Sequence, residues 1–432
     1  MTRQLLPISA LLLGTALLLF AGGINGLILP VRGSAEGFSA FSLGLLGTGW
    51  ALGYISGCVA TPRLVALAGH IRAFGVMAAF AAVAMLLSLI FITPTAWIPL
   101  RALSGFCFAG AAMIVESWLN ERTEPASRGK VYGIYTMVTL GASTAGQMSL
   151  TLGDTTGFLF FVLAAIFYCL SLVPTALSSS ATPRPLVSVR LDLRSLWRNS
   201  PVAVMGVALI GVSNSAFGTL AAVYADRIGL VLTTVALFTS LPILAGAAAQ
   251  IPVGYLSDRI DRRKVLVGIA VVAALADLAF ILLTPENRML NLILAAILGG
   301  AIFSMYPVIA AHANDHAPEG SYIQTSGGLL VVYGLGAIIG PLVAGVGMAQ
   351  LGGTGLFATT LAAHVVLIGF AVWRISVRDA VAEEEKSAFQ VRPTMGISTP
   401  ETASLGASEE EAVAEADAAG APHPDTASEE RR

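Results

Sequence analysis

Apolar positions in this chain come in long unbroken runs, each ending at charged or Gly- and Pro-rich residues, rather than in the alternation of a strand or the single stripe of a surface helix. A helix rises 1.5 Å per residue and a bilayer core is about 30 Å thick, so about 20 apolar residues make one crossing. Twelve runs reach that length. The first six are Ile8–Leu29, Ser39–Thr61, Ala73–Thr93, Trp97–Leu119, Val131–Leu152 and Phe158–Leu177. The second six are Pro201–Ala222, Thr233–Val253, Val265–Thr284, Met289–Ala311, Ser321–Ala349 and Gly355–Ile375. A strand barrel would instead show alternating segments of about ten residues. Arg3 ahead of the first run resembles the start of a signal peptide, but the run outlasts an apolar region of about 7–15 residues and a second follows at once, so it reads as a membrane helix.

Composition agrees with lipid as the solvent: 56% of the 432 residues are hydrophobic, 12% are charged, and mean hydropathy is +0.79. Soluble domains carry about 25% charge, so a chain of soluble domains is excluded. The net charge of −2 hides a split. Up to Ile375 the chain has 19 Lys and Arg against 13 Asp and Glu; from Ser376 onward it has 5 against 13. No basic stripe suits nucleic acid. Cys58, Cys107 and Cys169 lie singly inside apolar runs and read as small hydrophobes at helix contacts.

With the N-terminus inside, inner loops and flanks hold 16 basic residues and outer loops hold 3, namely Arg32, Arg227 and Arg288. That bias places both termini in the cytoplasm and the chain in the cytoplasmic membrane. Residues 178–200 form the longest inner connection, basic and Pro-containing, and divide a six-helix bundle over 1–177 from another over 201–375. The tail, 376–432, is acidic and too poor in apolar residues to fold alone, so disorder is expected there.

The halves repeat. Pro62, Gly69 and Arg72 correspond to Gly254, Asp261 and Lys264, and Gly26 to Gly218, at an offset of 192. Gly105, Asn120, Glu121 and Gly146 correspond to Gly299, Asn314, Asp315 and Gly340 at 194. A duplicated six-helix unit follows.

The loop GYLSDRIDRRK, Gly254–Lys264, places a glycine, two acids and four bases at the inner surface. It resembles the signature G-x-x-x-D-R-x-G-x-R-R/K of the major facilitator superfamily, matching at Gly254, Asp258, Arg259, Arg263 and Lys264 and departing at Asp261, where the family usually has Gly. The resemblance implies an all-α fold of twelve helices in two pseudo-symmetric bundles, with this loop as a conformational latch. The first-half copy keeps only Gly69 and Arg72, with Ala66 and Leu67 where the acid and base would stand. Arg101, followed by Gly105, resembles the family's R-x-x-x-G element, which in proton-coupled members implies a part in proton uptake or release. The stretch Met113–Tyr135, with its V-E-S-W helix end, resembles a poorly characterised bacterial branch.

Charge inside a membrane costs about 2.5–3.5 kcal/mol per residue on insertion scales, so each case needs a reason. Arg101 serves coupling, or it snorkels or pairs with Asn25 or Gln147. Glu116 near the inner surface is a latch partner of Arg72 or Arg128, a proton carrier, or an ordinary helix end. Asp277, mid-span, is a coupling candidate or a hydrogen-bonded packing group, and His364 reads the same way. A cavity lined by the first, fourth, seventh and tenth helices, with parts of the second, fifth, eighth and eleventh, would present Asn25, Trp50, Tyr54, Arg101, Thr139, Gln147, Asn214, Gln250, Tyr306 and Tyr333. That aromatic and mostly neutral set suits an amphiphilic or weakly charged small organic solute.

No phosphate-binding loop, zinc motif or nucleophile elbow occurs, so no enzyme, cofactor, metal or catalytic residue is assigned. The expectation is a monomeric secondary transporter working by alternating access, with a small-molecule substrate and protons as partners. An uncoupled facilitator, or a transporter-derived sensor signalling through the tail, is the alternative.

Overall fold

A computed structural model describes residues 2–123, 128–177, 192–318 and 321–377, together with the single positions Lys386, Phe389 and Thr399; side chains are described from Ser9 onward, except at 128–130, 322 and 323. Most of the connection 178–200 and nearly all of the tail 376–432 lie outside the described residues, as do the side chains of Arg128 and Lys130.

Every described element is helical. In lipid no water satisfies backbone N–H and C=O groups, so a helix, which pairs them internally, is what an apolar run can form. The first half contains α1 (Thr2–Ala35), α2 (Ala40–Ala68), α3 (His70–Ile90), α4 (Pro94–Arg122), α5 (Arg128–Ser149), α6 (Leu159–Leu170) and the short α7 (Leu172–Ala176), which completes the span begun by α6. The second half contains α9 (Pro201–Arg227), α10 (Leu232–Arg259), α11 (Arg262–Leu283), α12 (Arg288–Asn314), α13 (Tyr322–Leu351) and α14 (Thr354–Val377). Between them, α8 (Leu193–Asn199) is capped by Asp192, which accepts from the Ser195 N–H, and it packs on α9 and α13.

Helices exceed the apolar windows because their ends continue into the polar boundary with residues such as Arg32, Arg63 and Arg122. Among the described residues, eleven helical segments qualify as spans by length and hydropathy. The remaining expected span, α5, is more polar because Thr136, Thr139, Ser143, Thr144 and Gln147 lie along it.

The duplication is visible in packing. In the first half α1 pairs with α5 and α2 with α4; in the second, α9 pairs with α13 and α10 with α12. A Cβ on Gly105 would lie 2.1 Å from the Trp50 carbonyl oxygen, and one on Gly299 would lie 2.3 Å from Pro242 Cα. Trp50 and Pro242 are themselves separated by the repeat offset of 192. Likewise a Cβ on Gly146 would meet the Phe20 carbonyl at 2.1 Å and one on Gly340 the Val212 carbonyl at 2.2 Å. Both crossings thus depend on glycine at the same point in each copy.

The halves meet chiefly through α2 against α13, with α1 and α2 against α9 and a lighter α5–α10 contact. Thr48 donates to the Ile338 carbonyl (2.8 Å), and a Cβ on Gly44 would meet the Pro341 carbonyl at 2.3 Å. On the face opposite the basic loops, Ser34 donates to Asp226 (2.6 Å) and Arg227 to the Phe38 carbonyl (3.4 Å), closing α1 and the α1–α2 connection onto α9.

Gly105→Ala and Gly299→Ala are expected to destabilise the protein by about 1–3 kcal/mol through overpacking at a backbone contact. Gly26→Ala and Gly218→Ala, where a Cβ meets nothing within 4 Å, should be nearly neutral. Thermal melts in detergent check this; equal losses in both sets would refute the crossing assignment.

Candidate functional site

A cavity of about 270 Å³ lies between the halves, walled by α1, α2, α4, α5 and α6 on one side and α9, α10, α12 and α13 on the other. Among the expected lining residues, Asn25, Trp50, Arg101, Gln147, Asn214 and Tyr333 are in its wall. Tyr54 sits beside Trp50 with ring centroids 5.1 Å apart, and Tyr306 meets Tyr333 edge to face at 6.1 Å, so both stand behind the wall. Gln250 and Thr139 are buried outside it; Thr139 donates to the Thr136 carbonyl (2.8 Å).

Several wall residues had not been singled out. Tyr168 on α6 reaches the cavity although the sixth span is not among the helices expected to line it. Ser104, Ser143, Thr144, Ser215 and Thr219 add hydroxyls that read in sequence only as small packing residues. Their signal was recurrence on cavity-facing spans, masked by the frequency of Ser and Thr in all spans.

Arg101 donates from one terminal nitrogen to Asn25 Oδ1 (2.9 Å), and Asn25 Nδ2 donates to the Tyr168 hydroxyl (3.2 Å). The chain therefore tethers the cation across α4, α1 and α6. The repeat offset puts Ala295 at the corresponding second-half position, so this charge breaks the symmetry of the fold.

Asp277 is elsewhere. On α11 it accepts from the Thr360 hydroxyl (2.7 Å) and faces His364 Nδ1 (2.8 Å), both on α14, and all three side chains are fully buried. The structure does not bring Asp277 to Arg101 or to the cavity wall. Glu116 is also fully buried, accepting from the Tyr135 hydroxyl (3.0 Å) and from the Thr399 hydroxyl. Arg72, offered as its partner, lies exposed at the surface.

The basic face of the second half holds a denser network. Arg262, with 1% of its side chain exposed, donates from Nε to Asp315 Oδ2 (2.7 Å), and from NH1 to Ser257 (3.0 Å) and Asp258 (3.2 Å). It joins α10, α11 and the end of α12. Arg263 donates to Asp261 at 2.8–3.2 Å and to the Arg374 carbonyl of α14 at 3.2 Å. Asp261, the departure from the family signature, caps α11 by accepting the Arg263 N–H (2.9 Å). Its burial alone would raise the carboxyl pKa, but the Arg263 hydrogen bonds and charge outweigh that and hold it below the usual carboxylate range. Arg259 instead stacks over Tyr255 at 3.9 Å, and Lys264 is exposed.

In the first half the counterparts of Asp258, Arg262 and Asp315 are Ala66, His70 and Glu121. His70 is buried and lies against the Trp118 ring, centroids 5.9 Å apart. Gly69 joins α2 to α3 at φ +79°, where glycine is unstrained. Three tail positions pack on this same face: Lys386 donates to the Ile260 (2.8 Å) and Asp258 (3.3 Å) carbonyls, the Phe389 ring covers Gly254, and Thr399 reaches Glu116. The tail therefore touches α10 of one half and α4 of the other.

A profile of the Major Facilitator Superfamily matches residues 11–247 and, in a second placement, 203–407. The chain belongs to the major facilitator superfamily. It is thus a multi-pass membrane transport protein of a non-enzyme class. An uncharacterised MFS-type transporter of Yersinia pestis is 25% identical over 354 residues, covering 78% of this chain and 87% of that one. The MFS-type transporter YcaD of Escherichia fergusonii is 24% identical over 343 residues with the same coverage. These support the poorly characterised bacterial branch suggested by the V-E-S-W helix end. Among solved structures, the nucleoside transporter NupG superposes with a TM-score of 0.73 at 12% identity, over 86% of this chain and all of that one. A bacterial homologue of the lysosomal transporter Spinster, in its inward-facing and unoccupied conformation, gives 0.67 at 15% identity, over 87% and 99%. Both likenesses establish the MFS fold.

Asp315→Asn is expected to cost about 3–5 kcal/mol, because it leaves the buried Arg262 with only the half-exposed Asp258 as a counter-charge. Asp258→Asn, at a carboxylate 45% exposed, should cost under about 1 kcal/mol. Unfolding in detergent measures both, and equal costs would refute Asp315 as the main partner of Arg262.

Proposed function

We propose that this MFS transporter moves a small amphiphilic organic solute across the cytoplasmic membrane by alternating access, with its termini in the cytoplasm and its movement coupled to protons. The observation that carries the reading is the cavity itself, set between two copies of one helical unit and walled by matching helices of both. Ser34–Asp226 and Arg227–Phe38 close the side remote from the basic loops. Rocking of the 1–177 bundle against the 201–375 bundle about the α2–α13 and α5–α10 seams would exchange that closure for one at the basic face.

In this scheme Gly254, Asp258, Arg259, Arg263 and Lys264, with Arg262 and Asp315 at the centre, form the second-half latch. Gly69, Arg72 and Glu116 form the weaker first-half one. Arg101 is the coupling residue, since protonation changes near a fixed cation shift the equilibrium between states only as far as they bind the two states differently. Asp277 with His364 and Glu116 with Tyr135 are the acid sites available to carry the proton. An uncoupled facilitator is the second reading, favoured because no acid is among the described wall residues of the cavity.

Proteoliposomes enclosing a pH-sensitive dye test coupling. Addition of a transported solute should move protons across the membrane, and Arg101→Ala should reduce that proton movement at least tenfold relative to solute flux. Solute flux indifferent to an imposed pH gradient would reject coupling and leave the facilitator.

A further inference from the structure

We infer that the cavity selects an organic monoanion, a carboxylate or comparably small acid group borne on a single aromatic or apolar body, with Arg101 as its anchor. This rests on the cavity being the solute site. Among the described wall residues Arg101 bears the one formal charge. It is tethered by a neutral amide, Asn25, rather than neutralised by a carboxylate. A guanidinium offers five N–H donors in a planar fork that matches a carboxylate edge, and the bond to Asn25 commits one terminal nitrogen. Its field in a low-dielectric cleft without a counter-ion draws in an anion and repels a cation.

The tether also gives the charge a fixed position. Asn25 spends its carbonyl on Arg101 and its amide on Tyr168, which pins the guanidinium from the α1 side while leaving its remaining donors for a ligand. The rest of the wall is suited to an apolar body. Trp50 and Phe108 lie with ring centroids 5.9 Å apart, and Phe303 and Tyr333 line the cavity from the second half. At about 270 Å³ the cavity is just below the ~300–1,000 Å³ typical of small-molecule sites, so one ring with a short acid arm is the size it admits. The absence of a second-half cation at Ala295 argues for one acid group rather than two.

Binding of three isosteric probes to the purified full-length protein in detergent tests this, read by calorimetry: 3-phenylpropionate, its neutral amide, and the amine 3-phenylpropylamine. The acid should bind at least tenfold more tightly than the amide, and the amine more weakly than either. Arg101→Gln should cost the acid at least tenfold while leaving the amide within twofold, and Arg101→Lys should restore part of the loss. Acid binding no tighter than amide binding in the wild type, including no binding by either, overturns the inference without any variant. So does acid binding unmoved by Arg101→Gln in protein that melts normally. Flux is not part of this readout. Anion-selective binding without flux would count against the transport mechanism and not against the site, whereas flux of neutral solutes with no preference for the acid would do the reverse.

Discussion

Helices in lipid gain nothing by hiding apolar side chains from one another, since the tails of the bilayer are as apolar as leucine. What holds them is contact close enough for backbone to touch backbone, and here that contact is concentrated where glycine removes the side chain. Gly105 against Trp50, Gly299 against Pro242, Gly146 against Phe20 and Gly340 against Val212 bring α2 to α4, α10 to α12, α1 to α5 and α9 to α13. Each partner in the first half is matched by its counterpart one repeat later. The cavity follows from this, because helices pinned in crossed pairs cannot also fill the space between the two bundles.

That symmetry is set by packing and broken by charge. The second half ties α10, α11 and α12 together through a nearly dry Arg262–Asp315 pair, with Asp258 on its wetter edge. The first half has Ala66, His70 and Glu121 in the same places. A buried ion pair contributes little net stability against an apolar replacement but is costly to break singly. It therefore ties the second-half basic face together by charge, whereas the equivalent place in the first half holds a ring contact between His70 and Trp118, with the buried Glu116 nearby on α4. Lys386, Phe389 and Thr399 lie across both faces. They give a tail otherwise defined by its acidity a physical foothold on the bundle.

The spans were legible because lipid imposes a length and a composition on every crossing, and the repeat was legible because its landmarks are glycines that backbone contact requires. The charge network was only half legible. Arg262 stands four residues after Asp258, the spacing at which helical side chains meet, yet it falls at a variable position of the family signature, whose bases are Arg259, Arg263 and Lys264. Its decisive partner, Asp315, is 53 residues away on another helix. Tyr168 was hidden for a related reason: which face of the sixth span meets the cavity depends on packing, and its own apolar run has no polar stripe to reveal it. Asp277 could be recognised as needing a partner, but that the partner was His364, 87 positions on, required the α11–α14 contact.

Arg101 is where the departure from symmetry has most consequence. A duplicated unit that rocks about a pseudo-two-fold axis would present equivalent walls to a solute, and such a site has no inherent sign. One arginine on α4, held by Asn25, which Tyr168 in turn anchors, with an alanine, Ala295, at the equivalent second-half position, gives the cavity both a sign and a side. The cost of keeping that charge in a membrane is reduced by the amide tether and is offset further when an anion arrives. Because the cation belongs to the first half, an anion bound there would move relative to the second-half wall if the bundles rock as proposed. Asn214, Phe303 and Tyr333 would then be the groups whose contact with the solute differs between the proposed states, and it is such differential contact, rather than affinity alone, that lets a ligand drive an exchange.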